Sequence, residues 1–185
     1  MNDESRSPAD LVRPLLRVRQ FREFTDAPVD EEVLDAIADA ARWSGSSRND
    51  QPWRFVIVRE VEMLRRLAEA GLPQTRALAT ATAAIAIATV HKQGGAVSHA
   101  FDEGRAAERM LVAASFLGLG AGVVWVRAEA RPVVSELLAL PEDRFVRTII
   151  AIGHPTESAR RPKSDHGQAR LPRIETVFHE RFGES

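Results

Sequence analysis

Three arginines near the start of the chain form a run that could bind a phosphate group. Arg17, Arg19 and Arg22 are two and three positions apart, with Glu23 as an acidic neighbour. On an extended backbone alternate side chains share a face, so Arg17 and Arg19 can converge on one ligand. A guanidinium fork matches phosphate oxygens two at a time. Spacing alone still favours the commoner alternative, a solvated basic face with salt bridges.

A loop rich in small polar residues could surround a planar polar ligand. Residues 44–53 read Ser-Gly-Ser-Ser-Arg-Asn-Asp-Gln-Pro-Trp and lie between a predicted helix and a predicted strand. Such a loop offers hydroxyl, amide and backbone N–H groups, and Pro52 imposes extended geometry on Gln51. An ordinary turn-rich connection is the alternative. The candidate contact residues are Gly45, Ser46, Ser47 and Asn49.

Two later features carry weaker signals. The glycines at 118, 120 and 122 are reminiscent of a phosphate loop, but a dinucleotide fingerprint needs G-x-G-x-x-G between a strand and a helix. Here a helix comes first and the third glycine is one residue early, so helix termination and close packing explain the run. Backbone N–H groups just beyond it, near Trp125, could still face a ligand. Arg170, in a late polar loop, is explained at least as well as a surface residue.

Composition excludes several classes of protein. The 185 residues suffice for about one domain, and the 25 basic and 26 acidic side chains nearly cancel, which leaves no electrostatic footprint for nucleic acid or an anionic membrane. Without cysteine there is no disulfide scaffold, thiolate metal ligand or cysteine nucleophile. The five histidines lack zinc-ligand spacing, so no metal is expected. Asp102 and Glu103 project in different directions from a helix and make a poor catalytic pair.

Hydropathy predicts a cytoplasmic protein. The N-terminus is polar and lacks the apolar core of a secretory signal. The longest charge-free run, residues 110–126, contains three glycines. We interpret it as a buried helix end, a turn and a buried strand rather than as a membrane span.

Apolar periodicity predicts about four strands alternating with helices, hence an α/β or α+β fold in one domain over residues 1–185. Predicted helices cover residues 8–16, 30–43, 61–70, 99–117 and 132–138, and predicted strands cover residues 53–58, 83–90, 123–126 and 146–152. Residues 1–7 are predicted to be a flexible tail. Residues 156–172 are predicted to be an extended crossing segment, and 174–182 a short helix or strand.

Taken in order, these stretches resemble the nitroreductase family of FMN-dependent oxidoreductases, from Arg17 to about Phe182. The most specific motif is S-x-x-N-x-Q-P-W-x-F, matched here by residues 46–55. The arginine-rich segment before a Pro-Val pair follows the family order. So do a helix ending A-A-x-x-L-G-L-G at residues 113–120 and a strand ending G-x-P at 153–155.

The resemblance implies an α+β fold with three α/β/α layers, a central, mostly antiparallel sheet, and an intertwined homodimer that binds FMN at the subunit interface. The residues expected to hold the phosphate and ribityl chain are Arg19, Gln20, Arg22 and Arg170, with Arg17 compensating for Val18. Those expected to contact the isoalloxazine from the partner subunit are Gly45, Ser46, Ser47 and Asn49. A backbone N–H near Trp125 is expected to address flavin N5. Residues 156–185 are expected to cross the dimer.

The implied activity is that of an NAD(P)H:acceptor oxidoreductase with ping-pong kinetics and nitroaromatic or quinone-like acceptors. The chemistry takes place on FMN N5, so no side chain is expected to act as a catalytic acid or base. Residues 71–98 leave no room for covering helices, which predicts an open flavin face. Two alternatives stay open: a flavin-binding carrier or regulatory protein without NAD(P)H turnover, and a specialised FMN-dependent oxidase or dehydrogenase.

Overall fold

The computed structural model describes residues 7–90, 96–161 and 170–183. The helices are α1 Pro8–Leu16, α2 Glu31–Arg42, α3 Val61–Ala70, α4 Ala96–Phe116, α5 Arg131–Leu137 and α6 Glu157–Arg160. The strands are β1 Arg54–Val58, β2 Ala83–Val90, β3 Gly120–Trp125 and β4 Arg144–Gly153. Short 3₁₀ turns cover Ser47–Asn49, Arg76–Ala79, Ala128–Ala130 and Arg173–Glu175. Most of the predicted tail (1–7) and half of the predicted crossing segment (156–172) lie outside the described residues.

The four strands form one sheet in the order β1-β2-β4-β3, and each neighbouring pair is antiparallel. The central strand β2 has small and β-branched residues and is buried on both faces. Ile85 and Ile87 face one core, while Ala84, Ala86 and Ala88 face the other. The alternation of the side chains across the strand produces this division.

Helices cover both faces of the sheet. α2 places Leu34, Ile37 and Ala41 at spacings of three and four residues, so they form one buried stripe against α4 and the sheet. On the opposite face, α3 and α5 pack together and contribute Leu64, Leu67 and Val134 to the second core. The arrangement confirms the expected α+β fold with three α/β/α layers and an antiparallel sheet.

The N-terminal segment after α1 packs along the outer edge of β3. Gln20 forms an isolated parallel bridge with Ala121, and the Phe21 N–H donates a hydrogen bond of 2.8 Å to the Ala121 carbonyl oxygen. A Cβ atom at Gly122 would lie 2.0 Å from the Phe21 carbonyl oxygen. The glycine run therefore allows a close backbone approach. Helix termination accounts for Gly118, whose φ is +76°.

Several boundaries differ from the sequence prediction. α4 begins three residues earlier than predicted, and β3 begins at Gly120, which the pattern had assigned to the helix end. Leu117, the last residue of the predicted helix 99–117, lies beyond the end of α4 and is 46% exposed. In place of a helix or strand over 174–182 there is only the 3₁₀ turn at Arg173–Glu175. None of the helices in the described ranges is long and apolar enough to cross a membrane.

The substitution Gly122→Ala should destabilise the fold, because its new methyl group collides with the Phe21 backbone. We expect a loss of about 1–3 kcal/mol in the free energy of unfolding, measured by urea denaturation. Gly104→Ala is the matched control: nothing lies within 4 Å of its Cβ position in α4, and alanine favours a helix over glycine by about 1 kcal/mol. Equal stability of the two variants would contradict the close approach at β3.

Candidate functional site

The backbone groups of β3 alternate between its partner strand and the open edge of the sheet. The Val126 N–H donates to the Arg147 carbonyl oxygen at 2.8 Å, so this position faces β4. Ala121, by contrast, bonds outward to Phe21. Because facing alternates along an antiparallel pair, Ala121, Val123 and Trp125 share the outward direction.

The outward N–H groups of β3 meet two different environments. The Val123 N–H donates to the Gln20 side-chain oxygen at 3.2 Å, so Gln20 continues the edge contact with its amide. The Trp125 N–H is the next outward donor, two residues further along the strand. Trp125 itself is 49% exposed. The Trp125 N–H thus points outward at this edge, and its predicted contact with a ligand stays a prediction.

The predicted phosphate-binding arginines have different surroundings. The Arg19 guanidinium donates to the carbonyl oxygens of Ala159 at 3.2 Å and Arg161 at 3.4 Å, and also to that of Arg160. It also lies 4.7 Å from the centre of the Phe21 ring. Arg19 therefore fixes the end of α6 against the N-terminal segment.

The other candidates of the arginine run are exposed. Arg17 caps the C-terminal end of α1, and Arg22 follows the residue that bonds to β3. Gln20, Arg22 and Trp125 are thus brought to one edge of the sheet. Arg170 is exposed at the start of the last described segment. The predicted phosphate contacts of these residues stay predictions.

The serine loop, defined as residues 44–51, has an unusual backbone. Arg48, Asn49 and Gln51 have φ angles of 51°, 57° and 45°, which residues other than glycine rarely adopt. The Gln51 N–H donates to Ser46 Oγ at 2.9 Å, and Gln51 Nε2 donates to Asn49 Oδ1 at 3.1 Å. Such a conformation persists only where the surroundings hold it, and it occurs often at functional sites.

The surroundings that hold the serine loop belong to α4. Asp102 Oδ2 accepts a hydrogen bond of 2.9 Å from the Ser47 N–H, and Asp102 is buried. Arg109 donates to the Trp43 carbonyl oxygen at 2.7 Å. The Arg105 guanidinium lies over Gly45, where a Cβ atom would be 2.6 Å from its Nη2. Gly45 therefore contributes space rather than a contact group within the chain.

A buried histidine stands beside the same loop. His99 is 3% exposed, and its Nε2 lies 3.8 Å from Asp50 Oδ2. Within the described part of the chain, neither ring nitrogen has a hydrogen-bond partner. His99, Asp102 and Glu103 are all buried on α4, and the sequence interpretation assigned none of them to the site.

A sequence signal for these residues did exist. Glu103 continues the stripe of Ala107, Met110 and Ala114, which recurs at spacings of four, three and four residues and is buried. A carboxylate on the core stripe of a helix indicates a buried ion pair, because an unpaired buried charge is strongly unfavourable.

The two halves of the candidate site lie at opposite edges of the sheet within one chain. The serine loop leads into β1 and the arginine segment bridges to β3, the two edge strands. Three inter-strand spacings of about 4.8 Å separate these edges by roughly 14 Å. An isoalloxazine ring bound at one edge of the sheet would therefore not contact both the serine loop and the arginine segment of the same chain.

Comparison with known proteins gives one consistent family. A model described as "Nitroreductase family" matches residues 19–88. A "Putative NADH dehydrogenase/NAD(P)H nitroreductase" of Archaeoglobus fulgidus is 32% identical over 145 residues, covering 75% of this chain and 82% of that protein. The "FMN reductase (NAD(P)H)" of Bacillus subtilis is 29% identical over 174 residues, covering 83% of this chain and 70% of that one.

A solved structure agrees in fold. The FMN-dependent nitroreductase of Clostridium difficile is similar to the chain with a TM-score of 0.77 and 27% identity. The match covers 91% of this chain and 98% of that one.

The hydrogen bond from the Ser47 N–H to Asp102 should protect the serine loop from local opening. Asp102→Ala leaves the partly buried Ser47 N–H without its acceptor, which costs about 1–3 kcal/mol of stability in the loop. We therefore expect the Ser47 amide hydrogen to exchange roughly tenfold faster or more. Asp102→Asn keeps an acceptor oxygen and should retain most of the protection. Unchanged exchange at Ser47 in Asp102→Ala would show that α4 does not hold the loop.

Proposed function

The chain belongs to the nitroreductase family, and from that premise we propose that it is an FMN-dependent oxidoreductase that oxidises NAD(P)H. The observation that carries the proposal is the outward N–H of Trp125 at an edge lined by the arginine segment. The similar B. subtilis protein is named as an FMN reductase that uses NAD(P)H, and the similar C. difficile structure as an FMN-dependent nitroreductase. Both names mention FMN, the first as the molecule that is reduced and the second as the cofactor.

The residues at the edge of β3 fit FMN in chemical type. The Trp125 N–H is a fixed backbone donor for a ring nitrogen, and the Arg22 guanidinium is an exposed cation for a phosphate. We propose that Arg17 supplies further positive charge and that Arg19 contributes by holding the end of α6. The Gln20 side chain is engaged with Val123, so its amide nitrogen is the group left to face a ribityl hydroxyl.

We propose that the site is completed by a second copy of the chain. The serine loop and the arginine segment lie at opposite sheet edges, so Ser46, Ser47 and Asn49 would approach the isoalloxazine from the partner. The single chain also exposes a set of large apolar side chains, an arrangement typical of a subunit interface. They include Leu11, Leu15 and Leu16 on α1, Trp43 after α2, and Phe101 and Phe116 on α4.

When bound, FMN supplies the two-electron chemistry between a nicotinamide and an acceptor. The chain's own residues position the rings and set the polarity around them. Asp102 accepts a hydrogen bond from the serine loop and Glu103 one from Arg147, so the contacts of these two carboxylates connect parts of the fold. A single open face would serve both substrates in turn, which supports ping-pong kinetics.

The acceptors that would best suit an open flavin face are flat molecules such as nitroaromatics, quinones and free flavin. A carrier or regulatory function without NAD(P)H turnover, and a specialised oxidase or dehydrogenase function, remain the second candidates. Turnover with nitrofurazone and menadione, compared with turnover with oxygen alone, separates the reductase, carrier and oxidase functions.

The purified protein should bind FMN and turn yellow, and NADH or NADPH should bleach it under anaerobic conditions. Adding nitrofurazone or menadione should restore the absorbance. Double-reciprocal plots of initial rate against NAD(P)H concentration, at several acceptor concentrations, should give parallel lines. Bound FMN that no pyridine nucleotide reduces would refute the reductase proposal and favour the carrier. Rapid reoxidation by oxygen with no response to either acceptor would favour the oxidase.

Arg22→Ala should weaken the binding of FMN more than that of riboflavin, because riboflavin lacks the phosphate. A charge-assisted contact contributes about 1.5–3 kcal/mol, so we expect the dissociation constant of FMN to rise by about tenfold or more. Quenching of flavin fluorescence measures both ligands.

Arg65→Ala is the matched control, an exposed arginine on α3. It should change neither dissociation constant. If Arg22→Ala weakens riboflavin and FMN equally, Arg22 does not contact the phosphate.

A further inference from the structure

A bulge in β4 turns Arg147 towards α4. On the β2 side, Ile87 is opposite Thr148 and Ala88 is opposite Val146, so Arg147 has no partner in β2. A bulge of this kind re-aims the side chain of the extra residue. The Arg147 guanidinium consequently lies 2.5 Å from Glu103 Oε2.

The Glu103–Arg147 pair is largely removed from water. The side chains are 3% and 16% exposed, respectively. Glu103 Oε1 is buried and has no hydrogen-bond partner among the described residues. Charges in such surroundings act over longer distances than charges in water, because the effective dielectric constant is lower.

The same guanidinium lies next to the proposed flavin site. It lies 6.0 Å from the centre of the Trp125 ring and 5.8 Å from that of Phe145. The Arg131 guanidinium lies over the Phe145 ring, 4.9 Å from its centre. The pKa of Arg131 is lowered by burial and by the charge of Arg147, while Glu103 and Glu129 oppose the shift. These side chains form one charged group behind Trp125.

We propose that the buried Glu103–Arg147 pair tunes the redox balance of FMN held at the Trp125 N–H, with Arg147 favouring and Glu103 opposing the reduced cofactor. The inference rests on the proposed function. Two electrons and one proton convert oxidised FMN into a reduced anion. A nearby cation stabilises that extra negative charge, and a nearby anion destabilises it.

The two opposite charges nearly cancel while both are present, so removing one reveals the other. At a separation of ~10 Å and an effective dielectric constant of ~20, one unit charge changes the relative affinity for reduced and oxidised FMN by roughly tenfold. For a two-electron couple, a tenfold change corresponds to about 30 mV in the midpoint potential. The predicted effects of the two single variants therefore have opposite signs.

The test measures the midpoint potential of bound FMN in four proteins: wild type, Glu103→Gln, Arg147→Met and the double variant. We expect Glu103→Gln to favour the reduced form by about tenfold and Arg147→Met to favour the oxidised form by about tenfold. The double variant should return to within threefold of the wild type. Glu108→Gln, at an exposed position on α4, is the matched control for a change in net charge and should have little effect.

Shifts of the two single variants in the same direction would overturn the proposal, because a merely structural pair would disturb the site alike from either side. Shifts below threefold, or an equal shift in Glu108→Gln, would also overturn it. A wild-type protein that binds no FMN would refute the proposed function instead.

Arg147→Met leaves a buried carboxylate unpaired and is the variant most at risk of not folding. Glu103→Gln and the double variant then decide. The midpoint potentials should show that the ratio of the affinities for reduced and oxidised FMN differs about tenfold between these two proteins. A difference below threefold would overturn the proposal. Arg147→Lys, which keeps the charge, should retain the wild-type balance more closely than Arg147→Met.

Discussion

The outer edge of β3 is the constraint on which the site depends. An edge strand presents unpaired backbone groups that must be covered, paired or used. Here Gln20 and Phe21 cover Ala121 and Val123, and they can do so because Gly122 admits the Phe21 backbone. Among the described residues this cover ends before Trp125, so the strand alternation leaves the Trp125 N–H directed outward at the end of the edge. The position of the arginine segment follows from the same contact.

Helix α4 is the second support of the site, and it works on two sides at once. Adjacent residues on a helix point about 100° apart, so Asp102 reaches the serine loop while Glu103 reaches β4. The strained backbone of the loop is held by the first contact, and the bulge in β4 supplies the partner for the second. A shift of α4 would therefore disturb the loop and the surroundings of Trp125 together.

Local patterns predicted much of the fold. The helix over residues 61–70 and the buried strand over 83–90 have the predicted bounds, because apolar periodicity and β-branched residues reflect burial directly. The S-x-x-N-x-Q-P-W motif located the serine loop. The apolar stripe of α4 indicates that Glu103 is buried and paired, but its partner Arg147 and the contact of Asp102 with the serine loop could not be predicted. They depend on contacts between residues distant in sequence and on a one-residue bulge. Likewise, nothing in the arginine run indicates that Arg19 bonds to carbonyl oxygens of α6.

A crystal structure of the protein with FMN tests the central claim most directly. The account predicts that the backbone nitrogen of Trp125 lies within about 3.2 Å of flavin N5. It also predicts that the serine loop of a second chain packs against the same ring. FMN bound away from the β3 edge, or a Trp125 N–H bonded to a protein carbonyl in the complex, would contradict it.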